Sequence, residues 1–381
     1  MAKFHRFIVL IGAILMLNFC SQIKPRDLKI NLRWVKSYDS ETLENVQKGF
    51  LWSMAFAGAK LPKEIAQNGF VFKSNDVIEV DFSSLGFDEN SQNKWQNLIE
   101  YAKNTEEYKK NNAIDLSRFL VFTVYSSWHY YQITGVSANV GDSLKNTIKN
   151  NKLSAFPVTN SCMAKGHRLL KYEIVPDLLK SKFLAVEGKG SLIDSSFRAD
   201  KFEVIDLMAN GQLRYAIYDI DGGLIPYSPA DYGQAGKPAK CMWCHEGIIS
   251  PLFTDNQEVR HFKKPAEFNQ EMIQFQQILN AFRKSQPSLL TFESHKDHTL
   301  AELLYISFME PSAERLSTEW GMSVAAVKSK LKNLATHRHH EFDFLGELYD
   351  RKEVEKFAKF SSVPFPDSVR EPNENEPNIF K

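Results

Sequence analysis

Hydrophobic positions along the chain follow two periods, and the places where the period changes divide it into regions. Between residues 40 and 58, Leu43, Val46, Phe50 and Met54 recur every three or four positions, the spacing of one helix face. Ser40 stands where a helix cap would, and Gly58 and Pro62 end the pattern. VIEVDF (77–82) alternates like a strand, and Asn93 to Lys109 is helical in character. FLVFTVYSSWHYYQIT (119–134) is dense in aromatic and β-branched residues, which predicts one bent strand or two. In that case His129 and Tyr131 share one face and Trp128 and Tyr130 the other, one set lining a groove and the other a core.

From about residue 150 the short period takes over. FEVIDLMA and QLRYAIYDI flank Asn210-Gly211, a pair that supplies the positive φ angles of a tight hairpin turn. A second turn at Asp221-Gly222-Gly223 leads into LIPYS. Strands over 202–208, 212–220 and 224–228 are therefore predicted as a meander, which runs into a loop carrying KPAKCMWCHEG (237–247). After residue 265 the helical period returns in FNQEMIQFQQILNAF and AELLYISFM. The final stretch carries four prolines, an extended tail laid over the surface or disordered.

The fold class expected is α+β. It comprises an α+β unit over 25–150, a β-rich unit over 151–264, a helical region over 265–360 and a proline-rich tail over 361–381. A length of 381 residues agrees with more than one packed unit. Hydrophobic residues at 43% and charged residues at 24% make the chain globular. Lys and Arg number 47 against 46 Asp and Glu, so no charge excess points to nucleic acid as a partner.

The first 20 residues are different. Lys3, His5 and Arg6 precede the apolar run Phe7 to Phe19, and Cys20 and a polar stretch follow. That order is a secretory signal, too short for a comfortable membrane-spanning helix. LNFC resembles the end of a bacterial lipoprotein signal, where the cysteine becomes the lipidated first residue. Leu17 fits that pattern, and Phe19 stands where the family has a small residue. The resemblance implies export to the periplasm and a membrane anchor on Cys20.

Only four cysteines occur, and two of them form Cys241-Met242-Trp243-Cys244-His245. A two-residue gap lets two thiols reach the two vinyl groups on one edge of a porphyrin, with the next residue placed to ligate iron. By this motif the chain resembles a monohaem c-type cytochrome. The resemblance implies haem c as cofactor, thioether bonds at Cys241 and Cys244, iron ligation by His245, and electron transfer with a redox partner protein. The path from YAIYDIDGGLIPYS into CMWCH is similar, more loosely, to the β-sheet cytochromes c′. Trp243 is placed to shield the haem edge.

Other readings of the same residues remain. Cys162, Cys241, Cys244 and His245 are four candidate zinc ligands. A thioredoxin-type redox pair, or a plain disulfide, would also use the two close cysteines. For the sixth iron position the candidates are Met309, Met163, His167, His261 and Met272, or an open position. An open position would make the protein a peroxidase-like haem oxidoreductase or a gas binder rather than an electron carrier. RLSTEWGMSVAAVKSKL resembles a helix-turn-helix, with Gly321 at the turn and Ser323 as cap. The second helix carries only two lysines, so a structural hairpin is expected there. His337, His339 and His340 with Glu341 form one further candidate cluster, for a metal or a solvated helix end.

Overall fold

The computed structural model describes residues 26–145, 153–161, 168–194, 196–229, 235–249, 253–292 and 295–381. The signal segment with Cys20, and Cys162, Met163 and His167, lie outside the described residues. The fold is α+β, with two sheets and helices in every region.

The first sheet contains β1 (Lys29–Arg33), β2 (Phe70–Phe72), β3 (Val77–Asp81) and β4 (Ile114–Asp115), in the order β2-β3-β1-β4. Ile30 pairs with Val80 and Leu32 with Ile78, and all four are buried, as strict alternation requires. The helices of this part of the chain are α1 (Leu43–Phe56), α2 (Lys63–Ala66), α3 (Glu89–Lys103), α4 (Glu106–Asn111), α5 (Leu116–Thr123), α6 (Ser127–Thr134) and α7 (Val140–Leu144). Thr42 rather than Ser40 caps α1, its hydroxyl accepting from the Asn45 amide at 3.2 Å.

The expected strand over 119–134 is corrected to two helices, α5 and α6. Asp115 caps the first, accepting from the Arg118 amide at 2.8 Å. Gly135 ends the second at φ 68°. Every residue of α5 is buried. A helix buried on all sides shows no polar face, so its periodicity is hidden and aromatic and β-branched content misleads. His129, Tyr130 and Tyr131 are all core residues, and no groove separates them.

The second sheet is an antiparallel meander of β5 (Ser154–Val158), β6 (Arg168–Glu173), β7 (Lys182–Lys189), β8 (Arg198–Leu207), β9 (Leu213–Asp219) and β10 (Leu224–Ile225). The predicted Asn210-Gly211 turn joins β8 to β9, with Gly211 at φ 79°. The later helices are α8 (Pro238–His245), α9 (Pro265–Ser285), α10 (His295–Met309), α11 (Ala313–Trp320), α12 (Val324–Lys330) and α13 (Arg351–Glu355).

These helices serve different regions. α9 lies on the second sheet, with Phe268 stacked on Phe156 at 4.0 Å. α10 packs against α1 instead. The approach is so close that a Cβ on Gly49 would stand 2.7 Å from the Leu300 carbonyl oxygen. One continuous core therefore runs from Leu28 to Val369. The expected helical hairpin is present: Gly321 sits in the left-handed region at φ 62°, and Ser323 caps α12 by accepting from the Ala326 amide.

The proline-rich tail is extended and partly buried, with Val363 and Val369 in the core. Its Glu376 accepts from the Ser127 amide at the start of α6 and pairs with Lys237. A carboxylate is favourable at a helix N-terminus. Among the described residues no helix is long and apolar enough to cross a membrane.

Candidate functional site

The CxxCH motif forms α8, not a loop. Lys237 is its N-cap and Pro238 its first residue, where a missing N–H costs nothing. The helix stops at Glu246, in the left-handed region at φ 46°, followed by Gly247 at φ 86°. On a helix, residues three and four apart share a face. Cys241, Cys244 and His245 are so spaced, and all three line one cavity. Met242 is buried elsewhere. Trp243 carries the Arg370 guanidinium 4.7 Å above its ring and does not line the cavity, so its expected place at a haem edge is corrected.

The turn after the helix orients the histidine. His245 Nδ1 lies 2.9 Å from the Ile248 carbonyl oxygen, which can only accept, so Nδ1 carries the proton. The Nε2 lone pair is left for a ligand bond, the usual arrangement of a metal-binding imidazole. Burial lowers the basicity of His245, which keeps the ring neutral as ligation requires. Burial pushes the Cys241 thiol up, with Glu203 adding to the effect. Cys241 and Cys244 form no disulfide with each other.

The cavity measures about 160 Å³ and opens partly to solvent. Its floor is one face of the second sheet, and the strand register explains its composition. One cross-strand row reads Phe156, Leu170, Ala185, Glu203 and Ile217. The next reads Val158, Arg168, Glu187, Lys201 and Asp219. The floor is thus apolar over most of its length and ionic at one end. There Arg168 pairs with Glu187, and Lys201 lies 2.7 Å from Glu187 and 3.3 Å from Glu203. Glu187 is 0% exposed and Lys201 2%. Burial pulls the Lys201 ammonium below its ordinary value, and Glu203 opposes that. Sequence reasoning missed this quartet, whose only signal was charge at alternate positions of apolar strands.

Tyr215 closes the cavity beside His245, with ring centres 6.0 Å apart. It is 1% exposed, and its hydroxyl has no hydrogen-bond partner among the described residues. Burial raises this phenol well above its ordinary value, so it is a neutral donor.

Of the sixth-ligand candidates within the described residues, Met272 of α9 lines the cavity. Met309 ends α10 in the core, and His261 is exposed in a turn at φ 72°; neither lines it. The histidine cluster is elsewhere. His337 Nε2 meets Glu310 at 2.7 Å, and His339 stacks on His340 and Phe342. Among the described residues no group of three or more His, Cys, Asp or Glu side chains is arranged to hold a metal ion.

The residues present fit a covalently held tetrapyrrole. Two thiols and a neutral, oriented imidazole share one wall of a mainly apolar cavity with a polar end. No protein-family model, no curated protein and no solved structure matches this chain, so the reading of the site rests on its geometry.

Proposed function

We propose that this chain is an exported monohaem c-type cytochrome that carries electrons, anchored to a membrane through lipid on Cys20. The single observation behind the proposal is the cavity wall on which Cys241, Cys244 and His245 converge, with Nδ1 of His245 tied to Ile248. Cys241 and Cys244 would hold the porphyrin through thioethers and His245 would ligate its iron. Bound haem supplies a one-electron couple. The chain's own residues set the conditions for it. The Ile248 carbonyl fixes the tautomer and angle of His245. Phe156, Leu170 and Ile217 of one cross-strand row, with α9, cover one side of the cavity. Met272 offers a thioether at the same cavity.

A second reading has its own support. Arg168, Lys201 and Glu203 act on Cys241, and the Tyr215 hydroxyl has no hydrogen-bond partner among the described residues. Charges are costly to bury in a merely insulating pocket. They suit a haem oxidoreductase or gas-binding protein with an open iron position.

Expression of the full chain with a haem-attachment system tests the first claim. Intact mass should rise by one haem, and Cys241→Ala/Cys244→Ala should abolish the gain. A colourless product with both thiols free sinks the proposal. Reduced spectra with and without carbon monoxide then separate the two readings: tight binding favours the open site, and no change favours electron transfer.

A further inference from the structure

A second cleft lies behind the His245–Ile248 turn, between the C-terminal half of α9, residues 286–292 and Trp52 of α1. It measures about 630 Å³ and is open to solvent. Its walls combine apolar Trp52, Leu290 and Phe292 with cationic Arg283, Lys284 and Lys63. At the far side Glu246 meets His298 at 3.7 Å.

Arg283 is the informative residue. Its Nε donates to the Gly211 carbonyl and one Nη2 hydrogen to that of Gly247, both at 2.8 Å. Its guanidinium lies 4.4 Å from the Phe292 ring centre. A guanidinium has five N–H donors, so three remain, distributed over the two terminal nitrogens. The other buried or half-buried arginines near the core meet carboxylates: Arg118 with Glu355, Arg168 with Glu187, Arg214 with Asp206, Arg315 with Asp115, Arg351 with Glu319 and Arg370 with Glu302. Arg283 meets none among the described residues. Burial without an anion draws it down to about 10. A half-buried cation with a free fork, facing an open cleft with apolar walls, lacks a planar anion.

We propose that this cleft binds a small organic carboxylate with an apolar or aromatic body. The carboxylate takes the two terminal nitrogens of Arg283, and exposed Lys63 on the rim adds attraction. The body lies against Trp52 and Phe292. The proposal is independent of what occupies the cavity beside His245, although Arg283 also holds Gly247, the neighbour of Ile248.

Calorimetric titration of the purified full chain with benzoate, benzamide and inorganic phosphate tests it. Benzoate should bind saturably, and neutral benzamide about tenfold more weakly, as loss of a charge-assisted pair predicts. Phosphate should compete poorly, having no apolar body. Arg283→Lys, which keeps the charge but not the fork, should lower benzoate affinity about tenfold. Arg283 also braces two loops, so Lys63→Glu on the exposed rim is the second variant. It should weaken benzoate several-fold while leaving the melting temperature unchanged. Equal binding of benzoate and benzamide, full competition by phosphate, no binding of benzoate, or unchanged affinity in Lys63→Glu would each overturn the proposal.

Discussion

The N-terminal region and the second sheet use their large side chains in opposite ways. Around the first sheet, Phe82, Trp95 and Phe119 are fully buried, and Phe82 and Trp95 stand 4.3 Å apart. Aromatic surface there is spent on close packing, which yields most of a domain's stability. On the second sheet the aromatics gather at one end, where Phe156, Tyr172 and Phe183 meet α9. The other end carries Arg168, Glu187, Lys201 and Glu203, and between them a cavity stays open. One region is filled and the other is held open at a cost in stability, as expected of a part that receives something.

The sharpest way to break this contrast is to change volume in each region. Trp95→Ala should cost about 3–5 kcal/mol in urea unfolding, the range for deleting a buried aromatic from a filled core. Ala185→Leu on the cavity floor should change the stability of the haem-free chain by less than about 1 kcal/mol, because it fills space rather than displacing atoms. The same variant should block covalent haem uptake, read by mass. A loss comparable to that of Trp95→Ala would show that the floor is packed.

Next in size is the ionic end of the sheet. Lys201→Ala leaves Glu187 buried with one partner fewer and should cost about 3 kcal/mol. Glu187→Leu/Lys201→Met removes the buried charges together and should recover most of that loss. Equal stabilities for the two variants would mean that the charges are not coupled.

Acid should act on the filled region through His129. Its Nδ1 donates to the Phe122 carbonyl and its Nε2 accepts from the Ile379 amide at 3.0 Å, so this one attachment of the tail requires the neutral ring. Burial pulls His129 down to about 4 from its ordinary 6.5. The unfolded chain binds this proton first, so the contribution is complete above pH 6.5. It is lost as the pH falls toward 4, by at most about 3 kcal/mol. His129→Gln should flatten the dependence of unfolding free energy on pH in that window. The smallest effect is expected at the α1 cap, where Thr42→Ala should cost about 1 kcal/mol by thermal unfolding.

How far the sequence was legible depended on burial. β3, the Asn210-Gly211 hairpin and the α11–α12 pair were readable because one face of each is polar or its turn chemistry is explicit. α5 and α6 were misread because both are enclosed, and enclosure erases the alternation on which a reading depends. The CxxCH motif was readable as a spacing, but its helix was not, since eight residues after a meander carry too little pattern. The quartet and Arg283 were invisible for a related reason: nothing local distinguishes a charge that will be buried from one that will be solvated.

By itself the sequence determined the local constraints: which turns need glycine, and which three side chains share a face once 238–245 is helical. The tertiary structure decided what those side chains meet. Strand register brought Arg168, Glu187 and Lys201 from three strands into one row, and only the seating of α8 and α9 on that sheet made a cavity. The physical reason is that spacing along a chain is set by backbone geometry. A site is made by long-range packing, which places residues dozens of positions apart within a few ångströms of each other.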